Sequence, residues 1–255
     1  MYGRRGWVLH HNTTLWRRTQ PVDNNAMPAF WNMGAAWLCQ NPWEHFLFTQ
    51  DRQVLERVYP LMKGAAEFLA GWLVEDGTGH LVTAAGVSAE NLFLYTGPDG
   101  KQRSADACMG PTMDLAITRG LFRNCIQDTE ILNRDEDLRL ELKQKLEKLL
   151  PCKVGKRGQL QEWPEDFEEQ DPQHRHVSHS YGVYPDNQIS ERTPQLKRCC
   201  QKEPGDPRGT KVPDGREFGR FASGRGSGTG IMLTGWSVIS FNPRNPLPGN
   251  MIGVE

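Results

Sequence analysis

The chain has 255 residues with 30 basic and 31 acidic side chains, a length that allows one large domain or two small ones. Its near-zero net charge excludes the strong basic field of nucleic-acid-binding and anionic-membrane-binding proteins, so we expect neither partner. The six cysteines are scattered without a CxxC pair, which argues against a thiolate metal site and against a disulfide scaffold. The sequence shows neither a transmembrane run nor a signal peptide.

Residues 6–16 form an aromatic segment with two tryptophans, two histidines and one asparagine. Trp and His offer flat apolar faces with a polar edge, which suits stacking on sugar rings in a cavity. A surface loop with two buried tryptophans explains the same residue types equally well. This segment starts only six residues into the sequence, as we would expect of a sequence that begins inside a domain.

Four apolar patterns predict helices, over residues 30–49, 51–75, 113–132 and 136–150. The first pattern is apolar on nearly every face, and Pro42 should break it, kink it or begin a new helix there. The second pattern predicts a helix pair. Cys39 and Cys125 lie in apolar helical patterns and are predicted to be buried thiols. Paired helices with little strand favour an all-α fold of helical hairpins, which in a closed ring form an α/α barrel.

One short stretch, residues 84–93, carries a single carboxylate, Glu90, after a predicted strand over residues 80–83. Helical regions on both sides would place this carboxyl between two apolar walls, an environment that general acids use. The alternative is that Ser88 is a helix N-cap and Glu90 lies in the first turn, stabilised by the helix dipole. The residues of this stretch by themselves favour the helix interpretation.

Residues 174–179 bring three histidines together in an H-x-H-x-x-H pattern. This spacing suits zinc ligands, but neither a thiolate nor an HExxH context accompanies it. A cleft wall in which His and Arg hydrogen-bond to hydroxyls fits the residue types better. A structural polar network is the third interpretation.

Several of these stretches match, in order, the motifs of one enzyme family. The matching stretches are residues 6–13, 43–45, 59–68, 88–91, 110–114, 159–163 and 174–179. Together they resemble the catalytic domain of glycoside hydrolase family 95 over roughly residues 1–196. The resemblance implies an α-L-fucosidase that acts chiefly on α-1,2-linked fucose, and a fold that is all-α, here a fragment of an (α/α)6 barrel.

The resemblance also implies an inverting mechanism and assigns roles to residues. The family's S-P-E-N motif falls on residues 88–91, so Glu90 would be the general acid that protonates the leaving oxygen. A water held by two Asn and polarised by an Asp completes the family's site, and the resemblance places these groups upstream and downstream of the matching stretches. The residues implied to contact the sugar are His11, Asn12, Trp31, His176 and His179.

Two positions differ from the family's usual motifs. Thr14 stands where H-H-N-T-D has Asp, and Ala89 stands where S-P-E-N has Pro. We expect these differences to alter loop geometry rather than the identity of the acid. The resemblance further implies a fucosylated oligosaccharide or glycan as partner, no cofactor and no metal, and an extracellular or secretory location.

After Cys200 the composition changes, and residues 201–255 are rich in Gly, Pro and Arg without a helical period. Codons read in a shifted frame over residues 211–234 allow a sequence that begins S-T-G-W-S and resembles the family's next helix. We therefore expect residues 1–200 to form a partial barrel domain and residues 201–255 to be a non-homologous, disordered tail translated out of frame. A genuine disordered tail is the alternative.

Overall fold

A computed structural model describes residues 2–10, 16, 30–172, 174 and 176–200, together with the backbone of two strands further along the chain. The chain divides into two compact units, residues 1–211 and residues 212–255. In the second unit, strand β8 (Gly230–Thr234) pairs antiparallel with strand β9 (Ser237–Phe241). The prediction of a separate, out-of-frame tail over residues 201–255 lies almost entirely outside the described residues and stays a prediction.

The first unit contains six described α-helices, which we number in chain order. They are α1 (Gly34–Leu38), α2 (Gln40–Thr49), α3 (Arg52–Trp72), α4 (Thr112–Leu132), α5 (Glu136–Lys148) and α6 (Pro194–Cys200). The predicted first helix is broken at Cys39, and Pro42 lies in the first turn of α2, where a backbone N–H has no helical partner to lose. Within the described residues no helix is long and apolar enough to cross a membrane.

Helix α3 is one continuous helix, so the prediction of a helix pair over residues 51–75 is wrong. It begins at Asp51, whose carboxylate accepts hydrogen bonds from the backbone N–H groups of Gln53 and Val54. Pro60 lies inside the helix on its exposed side, where water can satisfy the carbonyl left without a donor.

The hydrophobic core lies between α3, α4 and their neighbouring helices. Tyr59 and Met62 of α3 and Phe122 of α4 are almost fully buried. Cys39 and Cys125 are buried as predicted, with 4% and 0% of their surface exposed. Helix α5 packs on α4 through Leu138 and Leu142, which fit its predicted apolar face, while its polar face remains in solvent.

The prediction of an all-α fold, a fragment of an (α/α)6 barrel, is wrong. Between α3 and α4 the chain forms six short strands in antiparallel pairings: β1 (Leu73–Glu75) with β2 (Leu81–Thr83), β3 (Gly86–Val87) with β6 (Ala107–Cys108), and β4 (Phe93–Thr96) with β5 (Gln102–Ala105). Strand β7 (Glu168–Glu169) adds to the other edge of β4. These strands are two to four residues long, which is too short for an apolar alternation to be visible in the sequence.

Candidate active site

The stretch around Glu90 is a loop that continues directly from strand β3. The backbone N–H of Asn91 donates to the carbonyl of Ser88 at 3.1 Å and closes a turn, but no helix follows, because residues 93–96 form β4. The interpretation of Ser88 as a helix N-cap is therefore wrong. Its side chain is fully buried and makes a contact with a different part of the chain.

The Glu90 carboxylate is 27% exposed and has a histidine beside it. Nε2 of His176 lies 3.4 Å from Oε2 of Glu90, within ion-pair distance. The hydroxyl of Ser178, two residues further on, donates to the carbonyl of Ala89. The predicted pair of apolar helical walls is thus replaced on this side by the polar segment 176–179, which reaches both Glu90 and the residue before it.

Glu162 is a second carboxylate close to the loop, and it is almost completely buried. Its Oε1 accepts a hydrogen bond of 2.6 Å from the Ser88 hydroxyl, and its Oε2 lies 3.6 Å from Nδ1 of His179. The latter distance is too long for a hydrogen bond but within ion-pair distance, so the two groups attract when the His179 ring is protonated. Its backbone carbonyl accepts from the N–H of Thr112 at 3.0 Å, at the start of α4. Glu162 therefore contacts the loop, the histidine segment and the helix.

Sequence reasoning placed Glu162 in a matching stretch but gave it no role. The sequence feature that could have pointed to Glu162 is a charged residue between two apolar ones, Leu160 and Trp163, both of which are 2% exposed in the structure. Buried carboxylates in such surroundings need partners, because an isolated charge is costly in an apolar environment. Glu169 is a further half-buried carboxylate nearby: burial and the charge of Glu162 raise its pKa, partly opposed by Arg157, whose Nη2 lies 3.2 Å away.

Trp31, predicted to contact the sugar, is engaged inside the protein. Its ring is 6% exposed and meets the Trp37 ring edge-on at 5.9 Å between centroids. Its Nε1–H donates to Oδ1 of Asp114 at 3.0 Å. The polar edge of the indole therefore already has a partner, and its role in sugar binding stays a prediction.

The carboxyl group of Asp114 is fully buried against strand β3, which leads into the Glu90 loop. It is 0% exposed, and Oδ2 accepts from the Thr83 hydroxyl at 3.4 Å. A Cβ placed on Gly86 would lie only 1.9 Å from that same Oδ2, so the carboxyl packs directly on the backbone of β3. Asp114 thus joins the chain before α1, strand β2 and the strand that leads to Glu90.

Burial raises the pKa of Asp114 to about 7, although the hydrogen bonds from Trp31 and Thr83 act in the opposite direction. The folded protein therefore holds a proton that the unfolded chain releases near pH 4. The stabilisation by this group is complete below about pH 4 and is lost as pH rises through about 7.

We expect Asp114→Asn to remove this pH dependence. The free energy of unfolding of the parent protein should fall, relative to the variant, by on the order of a few kcal/mol between pH 4 and pH 8. Urea unfolding at both pH values measures the difference, and groups that titrate alike in both proteins cancel. A gap between the two proteins that stays constant with pH would contradict the assignment.

The remaining predicted residues fall in two groups. His11 and Asn12 lie outside the described residues. His176 and His179 belong to one segment, but the first faces Glu90 and the second faces Glu162. Among the residues that the structure describes, no group of three or more His, Cys, Asp or Glu side chains could hold a metal ion.

A cavity of about 830 Å³ lies beside strand β4, whose first residue, Phe93, is three positions after Glu90. It is bordered by strand β4, by strand β5 and by residues 165–168, with Phe93, Tyr95 and Phe167 as aromatic lining and Glu165 and Asp166 as polar lining. Its volume is in the range of ligand sites. Glu90 does not line this cavity, but three residues span at most about 11 Å, so the loop of Glu90 leads into the strand that does.

A partly exposed carboxyl group on a loop, with a histidine at ion-pair distance, is the kind of site in which glycoside-cleaving enzymes place a general acid. The comparison with protein families agrees. Residues 1–204 match the family model described as "Glycosyl hydrolase family 95 catalytic domain", and the chain belongs to this family.

Two curated relatives resemble the same part of the chain. This chain is 37% identical over 203 residues to "Alpha-L-fucosidase 2" of Arabidopsis thaliana, and the aligned region covers 78% of this chain and 24% of the relative. This chain is also 32% identical over 197 residues to "Probable alpha-fucosidase A" of Aspergillus niger, and that aligned region covers 74% of this chain and 24% of the relative. The chain thus spans about a quarter of the length of these relatives.

Proposed function

We propose that this chain provides the general-acid half of an α-L-fucosidase site, and that its substrate is a glycan with terminal α-1,2-linked L-fucose. The observation that carries the proposal is Glu90, held on its loop with His176 at 3.4 Å and with Ser178 bonded to the preceding carbonyl. Membership of glycosyl hydrolase family 95 and the names of both relatives support the choice of fucose.

In the proposed reaction Glu90 gives its proton to the glycosidic oxygen while the bond from that oxygen to the anomeric carbon breaks. A water adds to the anomeric carbon from the opposite face and loses its proton to the base, so the configuration inverts. By the family resemblance, the Asn pair and the Asp that hold and polarise this water come from segments outside residues 1–204. His11, Asn12, Trp31, His176 and His179 are proposed to contact the sugar.

The leaving part of the glycan is proposed to extend into the cavity beside β4. A general acid must face the oxygen that joins fucose to the leaving group, so the leaving sugar lies on the acid's side of that bond. Strand β4 begins three residues after Glu90. Tyr95 and Phe167 line the cavity, and one face of the Phe167 ring is stacked on Phe93 at 4.4 Å between centroids, so the sugar is proposed to stack on Tyr95 or on the other face of Phe167. Glu165 is proposed to accept from its hydroxyl groups, whereas both oxygens of Asp166 already accept hydrogen bonds from Lys156 and Gln159.

A second candidate is a catalytically inactive chain that at most binds fucosylated sugars weakly, because by the family resemblance the groups of the base half lie outside residues 1–204. The test is release of fucose from 2′-fucosyllactose by this chain and by a longer protein that adds the flanking segments of the family, with proton NMR of the first product. Release of β-L-fucose supports the inverting hydrolase. Binding without release by either protein supports the second candidate, and release of α-L-fucose contradicts inversion.

We propose further that residues 201–255 are an out-of-frame translation of the family's own sequence. The family match ends at residue 204, four residues after the composition changes at Cys200, and the shifted codons resemble the next family helix. Sequencing the gene across residues 199–236 decides the matter. An intact frame that encodes the same residues would contradict the proposal.

A further inference from the structure

The buried Glu162 side chain has no role in the proposed reaction, yet it contacts both segments that surround the acid. One oxygen accepts a hydrogen bond of 2.6 Å from Ser88, two residues before Glu90. The other oxygen lies 3.6 Å from His179, three residues after His176. Both contacts are buried: Ser88 is 0% exposed and Glu162 is 6% exposed.

The same two segments also contact each other directly at the acid. The Ser178 hydroxyl donates to the carbonyl of Ala89, and His176 lies 3.4 Å from the Glu90 carboxylate. The loop 88–90 is therefore held at its start by Glu162, in its middle by Ser178 and at its end by His176. Glu162 also faces the histidine segment, because Nδ1 of His179 lies 3.6 Å from its Oε2 without a hydrogen bond, so the hydrogen-bonded link from Glu162 is the one to Ser88.

We infer that Glu162 is a positioning residue for the general acid: through Ser88 and His179 it fixes the distance between the Glu90 carboxylate and the His176 imidazole. The inference rests on the proposed role of Glu90. The Glu162 carboxylate contacts Ser88 and His179, so we assign its effect on the reaction to the loop that begins at Ser88. A hydrogen bond to a carboxylate is short and directional, which suits a positioning role better than a contact through apolar side chains would.

The decisive variant is Ser88→Ala, because it breaks the link between Glu162 and the loop without changing any charge. With histidines labelled in the full chain, NMR follows the titration of the His176 imidazole in the parent, in Ser88→Ala and in Glu90→Gln. Glu90→Gln removes the carboxylate that faces the His176 imidazole, so the downward shift of the His176 titration midpoint in this variant is the largest shift that loss of the contact can cause. We expect Ser88→Ala to produce at least half of that shift, and Ser104→Ala, at an exposed serine, to produce none.

Glu162→Gln is the second variant, and Glu147→Gln on the exposed face of α5 is its matched control. In the longer, active protein, we expect Ser88→Ala and Glu162→Gln each to lower kcat for 2′-fucosyllactose by roughly ten- to a hundredfold, with little change in KM. A group that served stability alone would lower the unfolding midpoint and leave both kcat and the His176 titration unchanged.

The two readouts separate this inference from the proposed function. If no fucose is released by the longer protein, the proposed function fails, and the His176 titration still decides whether Glu162 positions the loop. If fucose is released but Ser88→Ala leaves both kcat and the His176 titration midpoint at parent values, the positioning role is overturned.

Discussion

Glu90→Gln is expected to lower the rate of fucose release from 2′-fucosyllactose by about 10²–10⁴-fold in a protein that carries the whole family site. Gln has nearly the size of Glu but no acidic proton, so the leaving sugar would depart as an unprotonated alkoxide. The rate constant for release, measured at saturating substrate, is the quantity to compare. KM should change little, since the substitution acts on the transition state.

The leaving group distinguishes loss of the acid from general damage to the site. An aryl fucoside with a strongly acidic phenol needs little protonation, so Glu90→Gln should slow its hydrolysis far less than that of 2′-fucosyllactose. Equal losses for the two substrates would contradict the role of Glu90 as general acid. Glu147→Gln, which removes an exposed carboxylate on α5, is the control and should leave both rates unchanged.

Gly86→Ala is expected to cause a large loss of stability, because strand β3 has no room for a side chain at this position. The added methyl would lie 1.9 Å from Oδ2 of Asp114 and about 3 Å from Pro111. Either strand β3 moves, or the Asp114 carboxyl turns away from the Trp31 N–H and leaves buried polar groups unpaired. Each outcome costs roughly 1–3 kcal/mol, measured as the free energy of unfolding in urea.

A double-mutant cycle tests whether Asp114 is the cause. In an Asp114→Ala background the carboxyl is absent, so Gly86→Ala should cost less than half as much as it does in the parent protein. An equal cost in both backgrounds would show that the methyl is rejected by something other than this carboxyl. Gly77→Ala is an unsuitable control, because its φ of +82° itself disfavours a side chain.

The parts of the fold that could be predicted from the sequence are those with a long local period. The helices over residues 112–132 and 136–148 lie within two residues of their predicted bounds, and the strand over residues 81–83 is where it was expected. The other strands were missed because two to four residues carry too little pattern. The continuous helix α3 was missed because a proline on an exposed face breaks one hydrogen bond and not the helix.

The candidate site divides in the same way. Glu90 and the histidine segment could be singled out from the sequence because they belong to ordered family motifs, each of them local in sequence, and their roles stay predictions. Glu162 and Asp114 were missed because their roles depend on partners 74 and 83 positions away, Ser88 and Trp31 respectively. The family resemblance implied that Trp31 contacts the sugar, and nothing in the sequence shows that its N–H already has a buried acceptor.

The contacts that hold the Glu90 loop have a consequence for how the protein folds. Ser88 meets a residue 74 positions later and Ala89 meets one 89 positions later, and helices α4 and α5 lie between. Closing segments of this length costs entropy before the contacts repay it. During refolding, helical circular dichroism should therefore return before the loop acquires its native environment, so Glu90, the proposed acid, should reach its final position after helices α4 and α5 have formed.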